Sequence, residues 1–156
     1  MNKGSETYAV LEEISLSLLA EGKTVKARAE GFSMFPFIKP GAIIMFSPVT
    51  PETILVPGEI IVLKRDPGLV LHRLVSIRKN NNKVLFITRG DSCVEEDKPV
   101  SREQIAARVV RIEDSMGSIR EGDTLIRKPC YFYNRIRIRI FFRLRRISDL
   151  WHRIIR

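Results

Sequence analysis

Apolar residues recur along this chain with two periods, and the change between them comes near residue 24. Before it, Val10, Leu11, Ile14, Leu18 and Leu19 fall at helical spacing and share one face. Ser5 can cap the first turn, Glu6 sits inside it and Gly22 follows the end, so a packing helix is predicted over residues 5–20. After residue 24 the period drops toward two. TVKARAEG alternates as a half-buried strand does, and AIIMFSP and EIIVLKR are short apolar runs parted by Pro and Gly. LVLHRLVSI and KVLFITRG follow, joined by a turn at Arg78-Lys79-Asn80-Asn81-Asn82, and QIAARVVRIE is a sixth run. No helix-length pattern interrupts them. The expectation is a mainly β fold, a small antiparallel sheet or barrel over residues 24–113 within one unit spanning 1–126.

The last segment, YFYNRIRIRIFFRLRRISDLWHRIIR, reads as a strand at IRIRI alone. Over its whole length Ile136, Ile140, Leu144, Ile147, Trp151 and Ile154 recur at four- and three-residue steps, which places them on one helical stripe. Arg135, Arg139, Arg143 and Arg146 lie largely opposite, so residues 127–156 are predicted to be a tail carrying a basic amphipathic helix.

Charge sharpens this division. The formal net charge of +9 suggests a nucleic-acid binder until it is located. Residues 1–126 hold 17 Lys and Arg against 17 Asp and Glu, whereas residues 127–156 hold ten basic residues against Asp149 alone. The body is neutral and the tail carries the excess. With no basic patch in the body and no aromatic-interleaved binding module, nucleic acid is not the expected partner. An arginine-rich face beside a Trp- and Phe-bearing one suits the surface of an anionic membrane, through residues 131–156. The alternative is a helix packed on the body or on another subunit.

The chain's 156 residues suit one domain with a substantial core. Cys93 and Cys130 are too few for a disulfide framework and lack metal-ligand spacing; neither a metal nor a cofactor is expected. Glu6, Glu12 and Glu13 interrupt the first 23 residues, so neither a signal peptide nor a membrane span is expected there. A cytoplasmic location follows, with the tail as a peripheral attachment to the inner membrane surface.

Three polar features stand out from the β pattern. Ser33 lies in GFSMFP, His72 inside the apolar run LVLHRLV, and Asp91 after Gly90 in RGDSCVEED. A serine hydroxyl is a poor nucleophile unless a base takes its proton as it attacks. Histidine, with an ordinary pKa of about 6.5, suits that task near neutral pH. A carboxylate can hold the imidazole in one tautomer and stabilise its cation. Each residue also has an ordinary explanation, as a turn serine, a hydrogen-bonded strand histidine and a turn aspartate. His152, in the tail, reads as a solvated or interfacial residue.

Order and context favour chemistry. GFSMFPFIKPGAIIMF resembles the serine box of the signal peptidase I-like serine peptidases, G-x-S-M-x-P leading into a Gly turn and a strand. PGEIIVLKR resembles that family's next strand, with Gly58-Glu59 where Gly-Asp is usual. LHRLV matches the general-base box in its histidine version, that of the archaeal, endoplasmic-reticulum and SipW-like branch. FITRGDSCVEED resembles the last box, Thr-[Lys/Arg]-Gly-Asp with a second acidic residue six positions on, which puts Asp91 and Asp97 on the two acidic positions. The resemblance runs from about Thr24 to Glu113.

It implies Ser33 as nucleophile, His72 as general base, and Asp91 or Asp97 as the support of His72, with the choice between them open. Met34 and Pro36 shape the loop, and Arg73 reads as an ordinary strand-edge charge. The Ser33 N–H would serve an oxyanion hole; Gly31 stands where many relatives carry a second hydroxyl donor. Members of the family normally carry a transmembrane anchor beside the serine box, and this chain shows only the amphipathic helix there. The implied function is a serine endopeptidase acting on a precursor peptide or protein. The alternative is a catalytically silent module binding an extended peptide at a sheet edge. A regulator like the self-cleaving repressors lacks support, since no helix-turn-helix precedes the body and the base is not lysine. Oligomeric state is left open.

Overall fold

The computed structural model describes residues 13–65, 68–80 and 83–154. A short helix, α1, covers residues 13–20. Seven strands follow: β1 (Val25–Arg28), β2 (Ile43–Pro48), β3 (Ile60–Lys64), β4 (Leu69–Asn80), β5 (Lys83–Arg89), β6 (Ile105–Glu113) and β7 (Ile119–Glu121). A long helix, α2 (Tyr131–Ile154), closes the chain. The fold is therefore mainly β, with a helix at each end. The earlier part of the predicted first helix, and two of its apolar residues, Val10 and Leu11, lie outside the described residues. So does part of the expected 78–82 turn, since β4 runs to Asn80.

The strands form one antiparallel sheet in the order β1-β2-β6-β3-β4-β5, with β7 paired to β6 beyond the end of β3. β3 shows why its apolar run is continuous. Its side chains alternate between faces. Ile60 and Val62 join one cluster with Val25, Met34, Ile38, Ile44, Phe46 and Ile112. Ile61 and Leu63 join a second with Leu55, Leu74, Phe86, Val100 and Ile105. Both faces of the central strands are covered, so those strands need apolar residues at every position.

At the edge beyond β5, Phe86 and Val100 exchange backbone hydrogen bonds of 2.9 Å each way. That segment, running back alongside β5, brings Asp97 to Thr88. α1 places Leu19 in the first cluster and Leu16 and Leu18 against it. Ile14, expected on the buried face, is 50% exposed. Among the described residues no helix is long and apolar enough to cross a membrane.

Candidate active site

Strand alternation separates two neighbours in β4. His72 and Leu74 share one face, and Leu74 belongs to the second cluster; Arg73 and Leu71 share the other. Consequently His72 and Arg73 meet different carboxylates.

His72 is buried, and its Nδ1 lies 2.5 Å from Asp97 Oδ2. Thr88, fully buried in β5, donates its hydroxyl to the same oxygen at 2.6 Å. Its backbone carbonyl accepts the Asp97 N–H at 2.8 Å. Arg65 Nη2 stands 3.3 Å from that carboxylate, half-buried at the end of β3. Asp97 is thus gripped through main chain and side chain with one oxygen on the imidazole. Nδ1 is engaged on this carboxylate, and Nε2 is the ring nitrogen that Asp97 does not reach.

Asp91 has a different partner. Arg73 Nε donates to its Oδ1 at 2.8 Å and Nη2 to its Oδ2 at 2.7 Å, in a bidentate pair with both side chains essentially inaccessible. Arg73 Nη1 donates to the carbonyls of Gly58 at 2.7 Å and Leu125 at 2.9 Å. The guanidinium also lies over Phe37, 4.6 Å from the ring centroid. A charge this deeply buried is tolerable because all three nitrogens find partners. The strand-edge role expected for Arg73 is therefore corrected: β4 is flanked on both sides, and Arg73 is 1% exposed.

Ser33 sits in a turn joining β1 to β2, between buried Met34 and Phe35 and half-buried Phe32. Its position is set by the turn after β5. Ser33 C=O accepts the Ser92 N–H at 2.9 Å and shares the Ser92 hydroxyl, at 3.0 Å, with Phe32 C=O at 2.7 Å. At Gly90 an added Cβ would come within 2.7 Å of Ser33 O and 3.0 Å of Ser33 Cβ. Only glycine permits that approach. Arg73 pairs with Arg89 across the strands, the last β4–β5 pair before Gly90. Ser33 therefore packs against Gly90, the residue that follows the end of β5. No hydrogen bond joins Ser33 Oγ to His72 among those of the described residues.

Gly31 is exposed, with open space where a side chain would project. Glu59, in the position where aspartate is usual, accepts the Val56 N–H at 2.7 Å and faces Arg108 at 3.4 Å. Cys93 and Cys130 are both free thiols. Burial and the neighbouring Asp97 carboxylate push the Cys93 thiol above its ordinary pKa. Thr88, which opens the Thr-Arg-Gly-Asp stretch but has no role assigned from sequence, and Arg65, a basic residue at a strand end with no distinguishing pattern, both meet the Asp97 carboxylate.

No protein-family model matches the chain. It is 35% identical over 89 residues to Signal peptidase I W of Bacillus subtilis (strain 168). The alignment covers 56% of this chain and 46% of that protein, so the chain spans about half the length of the curated relative it matches. This partial similarity supports a relationship to the signal peptidase I-like proteins.

Proposed function

We propose that this protein is a serine endopeptidase of the signal peptidase I-like type, cleaving an extended segment of a precursor peptide or protein. The observation that carries the reading is the His72 Nδ1–Asp97 Oδ2 contact of 2.5 Å, with Ser33 packed against Gly90 just past the end of the adjacent strand β5. Ser33 Oγ attacks the scissile carbonyl carbon while His72 Nε2 takes its proton. Asp97 holds the imidazole in the tautomer with the proton on Nδ1 and stabilises the imidazolium that forms. The carbonyl oxygen becomes an oxyanion met by the Ser33 N–H, which makes no backbone hydrogen bond among the described residues. The imidazolium then gives its proton to the leaving amine, and water repeats the sequence on the acyl-enzyme. Asp97, not Asp91, is the supporting carboxylate, because both Asp91 oxygens are committed to Arg73.

The tail supplies an attachment to an anionic membrane surface. Phe132, Ile136, Ile140 and Leu144 are all exposed on α2, interspersed with Arg137, Arg139 and Arg143. Each basic residue near such a surface contributes about 1 kcal/mol.

A library of extended peptides, incubated with wild type, Ser33→Ala and His72→Ala, tests the assignment. Cleavage by wild type alone is expected. Equal cleavage by all three would sink it. A second reading, a silent peptide-binding module, draws on the absent Ser33 Oγ–His72 hydrogen bond among the described residues and on Gly31. It expects all three proteins to bind peptide and none to cut it.

A further inference from the structure

Helix α2 and the Ser33 turn are almost a hundred residues apart in sequence, yet the helix touches the turn on both flanks of the serine. Phe32, immediately before Ser33, packs against Phe142 with ring centroids 4.9 Å apart and against Phe141 at 5.7 Å. Phe35, two residues after Ser33, packs against Phe141 at 5.4 Å. Phe141 and Phe142 meet each other edge-on at 5.8 Å. Tilted and edge-on contacts of this kind fix ring orientation as well as burying surface. One turn of α2 therefore contacts the chain on both sides of Ser33, at Phe32 and Phe35.

The first turn of the same helix holds the opposite support. Asn134, 7% exposed among otherwise apolar and basic residues, donates its side-chain amide to Asp91 C=O at 3.1 Å. Ser92, the next residue, carries the hydrogen bonds to Ser33 and Phe32. Tyr131 lies beneath the Arg89 guanidinium, 3.2 Å from ring centroid to carbon, just before Gly90. The residues that dock, 131, 134, 141 and 142, share a face of the helix distinct from that of Ile136, Ile140 and Leu144, although Phe141 and Phe142 stay 37% and 45% exposed.

We infer that α2 is part of the active site's scaffold, with Phe142, Phe141 and Asn134 as positioning residues for Ser33. They touch no reacting atom. They fix the serine turn and the 90–92 turn against each other and so set where Ser33 Oγ lies relative to His72. A displacement of 1 Å in such a geometry costs on the order of 100-fold in rate. This inference rests on the peptidase reading.

The test uses the full chain, with kcat and KM measured on a peptide that wild type cleaves. Phe142→Ala and Asn134→Ala are expected to lower kcat about 10- to 100-fold with KM within about twofold, because they move the nucleophile and leave the substrate contacts. Phe142→Tyr, which keeps the ring, is expected to restore most of the kcat. Far-UV circular dichroism reports whether each variant is folded, and Asn134→Ala, the smaller change, carries the test if Phe142→Ala is not. Wild-type kcat in the folded variants, or equal loss in Phe142→Tyr and Phe142→Ala, would overturn the inference while leaving the peptidase reading intact. Wild type that cleaves nothing would overturn both.

Discussion

His72 and Arg73 are adjacent in sequence and serve two carboxylates that do not substitute for each other. Asp97 approaches a histidine that has a ring nitrogen left over, whereas Asp91 is enclosed with an arginine whose nitrogens are all used. The two aspartates should separate in experiment. Asp97→Asn is expected to lower kcat by about 100- to 10,000-fold, since an amide no longer favours the required tautomer, with little change in thermal stability. Asp91→Asn strands a buried guanidinium and is expected to cost about 3–5 kcal/mol of stability, read by denaturant unfolding. Cys93 offers a check on the surroundings. Its raised pKa means less thiolate at neutral pH, so alkylation there should lag exposed Cys130 and accelerate only at more alkaline pH; mass spectrometry of the two sites reads it. Local motif spacing singles out Ser33, His72 and the pair Asp91 and Asp97 as candidates, and it leaves the choice between the two aspartates open. Arg73 was misread because a charge inside an apolar run looks like an edge until its partner, 18 residues away, is known.

At the scale of elements, the sheet was readable in advance because strand alternation is a local property. β7 escaped, having only three residues and no continuous apolar face. The buried face of α1 was only partly foreseen, with Leu19 buried and Ile14 half in solvent. α2 was expected to be a helix and is one. Its docking face was not legible: the periodic aliphatic stripe faces outward at Ile136, Ile140 and Leu144, while a mixed set including Tyr131, Asn134 and Phe142 meets the body. Polarity identifies the first stripe and gives no sign of the second. The outward stripe is what an anionic bilayer would take. Full-length protein is expected to float with phosphatidylglycerol vesicles at low salt and to stay down with phosphatidylcholine. Replacing Ile140 and Leu144 together by Glu is expected to abolish flotation, and unchanged flotation of that variant would remove the attachment from the account.

Across the whole molecule, a neutral body carries the candidate site and the charge excess is confined to residues 127–156, most of it in α2. The sheet supplies His72 and Thr88, its edge segment supplies Asp97, and a turn between strands supplies Ser33. Ser33 is held against Gly90 at the end of β5, and Asp97 against His72 and Thr88 on the neighbouring strands. The peptidase reading depends on Ser33 becoming covalently acylated. An activated ester of a cleavable peptide, mixed with the protein and quenched in acid within its first turnover, should leave an acyl increment visible by intact-mass spectrometry. The increment is expected in wild type, mapped by digestion to the fragment holding Ser33, and absent from Ser33→Ala. An increment of equal size on Ser33→Ala, or peptide cleavage that proceeds undiminished in that variant, would contradict a serine nucleophile at this site.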